Sequence, residues 1–362
     1  MALRKPEIFG SHGCEPVNIA VVFDTPYPSW EPADHWQQME REVAAWKQDE
    51  PEMEYQIADA LRIKKHEVTL CGVHDDVQPM IDRLEQLKPD LVFNSAETFH
   101  GNAQLDYLIP SLLEAEGHRF TGCSPLGLLL TRDKATSKKI LAYSGVRVPG
   151  FVYYKLGEQV GGTPGLTFPL IVKPMTTDAS DGISQASVVH DGEALKERVA
   201  FIHEKFGQPA IAEEFVIGRE LYVGMLGNSD GLTILPMTEL VFDKSKLKPE
   251  ERFATKSAKW DEAYRLRKGI RNIFARPVSK VARQRIEEAC QVAFRSLSLC
   301  DYARLDVRIT DDDQVWVMEV NANPFISYGH DMANAAEKAG MDYYAFIQRI
   351  VDEAAARYER HP

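Results

Sequence analysis

No apolar run in this chain approaches the roughly 18 to 20 residues that a membrane-crossing helix needs. The opening MALRKPEIFGSHGCEP carries charges with no apolar core behind it. Neither a membrane span nor a secretory signal is therefore expected. Cysteine is sparse: the five, Cys14, Cys71, Cys123, Cys290 and Cys300, are scattered without a CxxC pair or a metal-like spacing. They read as reduced, mostly buried thiols of a cytoplasmic protein, and nothing singles one out as a nucleophile. Positive charge is also short, with 42 Lys and Arg against 54 Asp and Glu and a formal net charge of -12. That balance argues against a general nucleic-acid or acidic-membrane binder, while a local basic pocket can still hold an anionic ligand such as a nucleotide. Internal repeats and low-complexity tracts are absent.

What is present is length and order. At 362 residues the chain exceeds what one hydrophobic core usually supports, so two or three subdomains are expected. The first third alternates strand signals (VNIAVVF, 17–23; HEVTLCGV, 66–73; DLVFN, 90–94) with amphipathic stretches near 54–64, 75–87 and 103–117. That alternation predicts a parallel α/β unit. Residues 24–55 are too long for a strand-to-helix turn and read as an insertion, a flap or an interface element. Two helical stretches end at Gly145, and a boundary is placed near residue 125. From 150 to 216 come short β-type segments with one helix near 193–206; the strands then lengthen, and helices are expected near 279–298, 331–340 and 342–358.

Chemistry first suggests itself in VWVMEVNANPFIS (315–327). By the two-residue repeat of a strand, Val315, Val317, Glu319 and Asn321 share one face, and Pro324 breaks the strand. In YARLDVRI (302–309), Arg304, Asp306 and Arg308 share a face by the same rule. A hairpin across TDDDQ (310–314) would gather Asp306, Glu319 and Asn321. Two carboxylates and an amide, completed by phosphate and water, suit Mg²⁺. Arg304 beside them is placed to stabilise a developing negative charge. A solvated strand face is the competing reading for any one of these residues; for the set on two neighbouring strands it is disfavoured.

Other stretches are weaker alone. FPLIVKPMTTDASDGIS (168–184) delivers Lys173 and Pro174 from a strand into a small-residue loop of a kind that approaches phosphates, and a plain hairpin explains it equally. AIAEEFVIGREL (210–221) has a strand, the acid pair Glu213 and Glu214, and then Glu220. It fits a hinge that reads an adenine edge with a later carboxylate for ribose, or an ordinary surface turn. Lys134 in TRDK, Lys256 and Lys259 in RFATKSAKW and the basic run 265–276 read as solvated charge; His100 and His330 are single histidines in polar loops.

The order TRDK, VKP with its loop, EEFxxGRE, AKW, ARLDV and EVNANP resembles the ATP-grasp superfamily, most closely its D-alanine–D-alanine ligase branch, over about residues 89 to 355. The resemblance implies an ATP-grasp fold of mixed α/β and α+β class. An N-terminal parallel α/β domain (1–125) would be followed by two α+β lobes (126–216 and 217–362) clasping ATP. It implies an ATP-dependent ligase that phosphorylates a carboxylate and lets an amine attack the acylphosphate. Carried over by motif position, Lys134 and Lys173 hold ATP phosphates, and Glu213 with the Glu214, Phe215 and Val216 backbone faces adenine. Glu220 meets the ribose, and Asp306, Glu319 and Asn321 hold Mg²⁺, or Mn²⁺ in its place. Arg304 steadies the tetrahedral oxyanion, Lys259 sits on the loop closing over the phosphates, and Ser180 lies in the phosphate-covering loop. The implied partners are small-molecule or peptide carboxylate and amine substrates, with room for a homodimer.

Departures accompany the match. The family's Gly-Ser-Ser loop is here Asp178-Ala179-Ser180, its AKY is AKW with Trp260, and its Pro-Gly after EVN is Pro324-Phe325. The early glycine-rich stretch with an amine-binding glutamate is replaced by residues 24–55. The nucleotide machinery is thus complete while the D-alanine contacts are not, which points to a different substrate pair with apolar or aromatic surface on the acceptor. The rival readings are a D-alanine–D-alanine ligase with altered contacts, a non-catalytic ATP-binding protein, and a phosphoryl transferase that makes no amide.

Overall fold

The structure is a computed structural model; it describes residues 16–25, 53–163, 165–177, 180–228 and 231–360. Most of the 24–55 insertion and the Asp178-Ala179 pair therefore lie outside the described residues. Strand β1 (Asn18–Asp24) has an unbroken apolar run from Ile19 to Phe23, as a strand covered on both faces must. It lies between β2 (Glu67–Val73) and β3 (Leu91–Asn94), parallel to both. Helix α1 (Met53–Ile63) buries Ile57, Ala58, Ala60 and Leu61 on one stripe. Helices α2 (Gln78–Leu87) and α3 (Leu108–Ala115) contribute Met80, Leu84, Ile109 and Leu113 to the core on the other side of the strands.

Helices α4 (Pro125–Arg132) and α5 (Lys134–Tyr143) come next. A second sheet, ordered β4-β7-β5-β6, is antiparallel throughout: β4 (Phe151–Tyr154), β5 (Leu170–Pro174), β6 (Val188–Val189) and β7 (Ala210–Glu214). Helix α6 (Gly192–Phe206) covers it with Leu195, Val199 and Ile202; its N-cap Asp191 accepts from the backbone N–H groups of Glu193 and Ala194.

The third sheet has six antiparallel strands, β8 (Arg219–Asn228), β9 (Gly231–Ile234), β10 (Thr238–Val241), β11 (Arg271–Phe274), β12 (Asp301–Ile309) and β13 (Val315–Ala322). Helices α7 (Lys256–Trp260) and α8 (Glu262–Lys268) lie between β10 and β11. Helix α9 (Lys280–Ser296) packs on one face together with Leu128 of α4 and Leu141 of α5. Helices α10 (Asp331–Lys338) and α11 (Tyr343–Arg360) close the chain, and Phe346, Ile347 and Ile350 of α11 share a core with Ile57 and Leu61 of α1. The end of the chain thus covers the N-terminal sheet. No helix among the described residues is long and apolar enough to cross a membrane.

The hairpin across 310–314 forms as expected, closed by Thr310 N–H to the Gln314 carbonyl at 3.0 Å. The simple two-residue repeat does not survive along β13. Asp306 pairs with Glu319 but Val307 pairs with Val317, so Met318 is an extra residue, a β-bulge. The expectation that Val315 and Val317 share a face with Glu319 and Asn321 is therefore corrected. Val315, Val317 and Val320 all enter the core under α9, and the bulge turns Glu319 and Asn321 to the opposite face.

Candidate active site

The floor of the site is the β12–β13 pair. Antiparallel register sets Asp306 opposite Glu319 and Arg304 opposite Asn321, with Ala303, Leu305 and Val307 buried on the reverse side. Arg304 grips Asp306 bidentately, Nε to Oδ1 at 2.7 Å and Nη2 to Oδ2 at 3.0 Å. Glu319 Oε1 meets Lys134 Nζ at 2.9 Å, and the same ammonium donates to the Thr177 carbonyl at 2.8 Å. Asn321 Nδ2 is buried without a hydrogen-bond partner among the described residues, a cost a native site tolerates when a ligand completes it.

Lys134 owes its place to Asp133, whose carboxylate caps α5 by accepting the Thr136 N–H at 2.7 Å. The lysine is only 4 % exposed, so the solvated reading of its charge is set aside. One turn further on the same helix, Lys138 is also buried; it meets Glu213 Oε2 at 3.4 Å and donates to the carbonyl of Met318, the bulge residue, at 2.7 Å. Lys173 reaches the other oxygen of Glu213 at 3.0 Å. Fully buried Glu213 thus clamps two lysines, and Lys138 ties that clamp to the strand carrying Glu319. Sequence reasoning missed Lys138; its signal was the four-residue spacing from Lys134.

The 213–220 stretch keeps few groups free. Glu214 N–H donates to Gly150 and Phe215 N–H to Pro169, while the Val216 carbonyl accepts from Arg308. The Val216 N–H has no partner among the described residues. Glu220 accepts from Arg308 Nη2 at 2.7 Å and from the Tyr222 hydroxyl at 3.0 Å, which leaves further lone pairs on the carboxylate for a ligand. Arg308 also lies 5.1 Å from the Phe215 ring centre. An arginine holding both the Val216 carbonyl and Glu220 was not anticipated; only its place on the Arg304–Asp306 face hinted at it.

A cleft of about 910 Å³ opens above the floor, its walls including Arg304, Glu319, Asn321, Lys259, Trp260 and Phe325. Trp260 and Phe325 stand 58 % and 37 % exposed in it, whereas Ser180 is buried with a left-handed backbone (φ 61°). The loop that follows Ser180 touches the α7 segment, through Asp181 to Lys256 at 2.8 Å and through the Ile183 carbonyl to the Lys256 N–H at 3.1 Å. Gly122 anchors the strand end: its φ of 89° and a Cβ position only 2.7 Å from Asn323 Oδ1 admit no side chain, and Asn323 accepts the Cys123 N–H at 2.8 Å.

Electrostatics follow from burial against pairing. Burial alone would raise Glu319, but Lys134, Lys173 and Lys259 outweigh it and hold the carboxyl well below the usual range. For Asp306 burial wins and raises the carboxyl despite Arg304. Burial works against the Arg304 charge, yet Asp306 and then Asp331 keep it firmly protonated. Lys138 is pulled down to about 8 by burial, against the opposing pull of Glu213. Among the described residues no group of three or more His, Cys, Asp or Glu is arranged to hold a metal alone. Two acids and an amide instead fit a hard cation that takes its remaining oxygens from phosphate and water.

Comparison with known proteins bears on this arrangement. A family model described as the D-ala D-ala ligase C-terminus matches residues 152–352. The chain is 33% identical to an uncharacterized protein, y4sG, from Sinorhizobium fredii, over 83% of this chain and 87% of that one. It is 28% identical to a D-alanine–D-alanine ligase of Syntrophotalea carbinolica, over 80% and 88%. In fold it is similar to a Bacillus anthracis D-alanine–D-alanine ligase crystallised with ATP (TM-score 0.68, 18% identity, 95% of this chain and 100% of that one). It is also similar to the VanG D-Ala:D-Ser ligase of Enterococcus faecalis (TM-score 0.65, 19% identity, 94% and 100%).

Proposed function

The chain belongs to the D-alanine–D-alanine ligase-like family of ATP-grasp proteins, and on that footing we propose that this ATP-dependent C–N ligase joins a carboxylate and an amine other than two D-alanines. The observation that carries the substrate half is the cleft wall. The family resemblance expects a tyrosine hydroxyl and a glycine at positions where Trp260 and Phe325 instead present exposed aromatic faces to the cleft. A site that has exchanged hydrogen-bond partners for apolar surface loses its discrimination for the small polar substrate.

In this reading the γ-phosphoryl group of ATP passes to the substrate carboxylate and ADP leaves. The amine nitrogen attacks the carbonyl carbon of the acylphosphate. A C–N bond forms, the C–O bond to phosphate breaks with its electron pair on phosphate, and the amine gives up a proton. Lys134 and Lys173 would hold phosphates between the 126–216 and 217–362 lobes. The Glu214–Val216 edge would face adenine, its open Val216 N–H donating to a ring nitrogen. Arg304, held charged by Asp306, would stabilise the tetrahedral oxyanion. Asp306, Glu319 and Asn321 would hold Mg²⁺ or Mn²⁺, which neutralises phosphate charge when bound. Lys259 and the Ser180 loop would close over the phosphates, excluding water from the acylphosphate.

The test is ADP and phosphate release with Mg²⁺ and ATP across amino acids of both configurations, dipeptides and small carboxylates, with mass spectrometry of the products. A product lighter by one water than one acid–amine pair, with D-alanine alone inactive, is the expected result. Turnover on D-alanine alone would return the chain to the conventional ligase.

A further inference from the structure

Of the carboxylates that line the cleft without a part in the reaction above, Asp106 and Asp181 are paired with Arg132 and Lys256, and Asp331 has no such pair among the described residues. Asp331, the first residue of α10, lines the cleft with Arg304, Trp260 and Phe325. Its Oδ1 accepts from Asn272 Nδ2 at 3.0 Å and from Thr238 Oγ1 at 3.3 Å, both neutral donors. No Lys or Arg forms an ion pair with it among the described residues. The nearest candidates are committed elsewhere. Arg265 donates to the Ala258 carbonyl and, at 3.0 Å, to Asn272 Oδ1, so an amide stands between that guanidinium and Asp331. Arg304 gives its hydrogen bonds to Asp306 and meets the Asp331 charge only through space, and Lys259, on the same cleft wall, lies over the Tyr222 ring at 5.9 Å.

We propose that Asp331 receives a positively charged group of the amine substrate, which makes the acceptor a diamine or a basic amino acid. The inference rests on the ligase reading and deepens it. The reacting nitrogen must be neutral to attack, so the charge that Asp331 meets is a second one, carried away from the bond being formed. A partly buried carboxylate supplied only with neutral hydrogen bonds gains most from a cation. The exposed rings of Trp260 and Phe325 on the same cleft wall favour a cation over an anion by their negative faces. A carboxylate at the start of α10 also gains from the helix dipole, which accounts for an acid at this position but not for a cleft wall that gives it no direct ion pair among the described residues.

The experiment compares putrescine, lysine, ornithine and arginine with alanine, phenylalanine and glutamate as acceptors, reading phosphate release and product mass for the wild type and for Asp331→Asn. Product with the cationic acceptors is expected. In the variant their KM should rise by about 10- to 100-fold, with the KM for ATP and kcat changed far less. Preference for an uncharged or acidic acceptor, or an Asp331→Asn variant that uses the cationic acceptor as well as wild type does, overturns the inference while leaving the ligase reading in place. Asp331→Glu keeps the charge and should keep the preference; a folded Asp331→Glu enzyme that has lost it also overturns the inference. Absence of any product with every pair overturns the ligase reading and this inference with it.

Discussion

Asp306 and Glu319 stand directly opposite one another on antiparallel β12 and β13, Glu319 one residue after the Met318 bulge. The bulge makes this meeting possible: it lets the valines of β13 fill the core while the two acids share the opposite face. Each acid is already held by a cation of its own, Arg304 for one and Lys134 for the other. The pair is therefore preorganised before any phosphate or metal arrives, and its charge repulsion is offset within the protein.

Glu319→Ala should abolish ATP turnover and leave the fold intact, because the side chain is partly exposed and packs no core. Phosphate release measured beside a circular dichroism spectrum checks this, and wild-type turnover in a folded variant would sink the assignment.

Lys138→Met removes the ammonium that links Glu213 to the Met318 carbonyl. Turnover is expected to fall by about 10- to 100-fold, the usual range for the loss of a supporting contact behind a ligating residue. The variant should still melt cooperatively; unchanged kcat would mean that the bulge holds its shape without this contact.

Arg308→Met leaves Glu220 buried with only the Tyr222 hydroxyl. A loss of about 3–5 kcal/mol in stability is expected, as for other buried pairs broken on one side. The double variant Arg308→Met with Glu220→Gln should recover much of it in urea unfolding. No recovery would show that the arginine acts through the Val216 carbonyl instead.

Trp260→Tyr should alter acceptor preference more than the KM for ATP. Equal changes in both would place Trp260 in the nucleotide-closing loop rather than in the acceptor wall.

Glu239 supplies a pH test away from the site. Burial would raise it, but the Arg219 and Arg276 guanidinium groups bring it down to about 2. A depressed carboxyl contributes stability above its unfolded value near 4.5, and that contribution is lost as the pH falls toward about 2. The melting-temperature gap between wild type and Glu239→Gln should therefore be full at pH 7 and narrow below about 4.5. A gap that widens on acidification would reverse the sign.

The alternation of apolar strands with amphipathic stretches, the hairpin across 310–314, and the order of motifs from TRDK to EVNANP were all legible because each depends on neighbours along the chain. Arg304, Asp306 and Arg308 share a face as the simple strand repeat predicts, since β12 runs without interruption at those positions. Lys134 and Lys138 were visible as residue types but not as buried ones, because burial depends on what covers a helix. The sequence also showed Trp260 and Phe325 as departures, without showing that both would stand open to one cleft.

By itself the sequence determined the kinds of groups available: two acids and an amide on adjoining strands, lysines at a strand end and a helix start, and an arginine beside them. Tertiary structure alone decided which of these meet. A single unpaired residue at Met318 reverses the face of everything after it, and no periodicity can register an insertion whose partner strand it does not see. Lys138 and Met318 lie 180 residues apart, and Arg308 and Glu220 lie 88 apart, so their pairing is fixed by sheet register and helix docking rather than by local spacing.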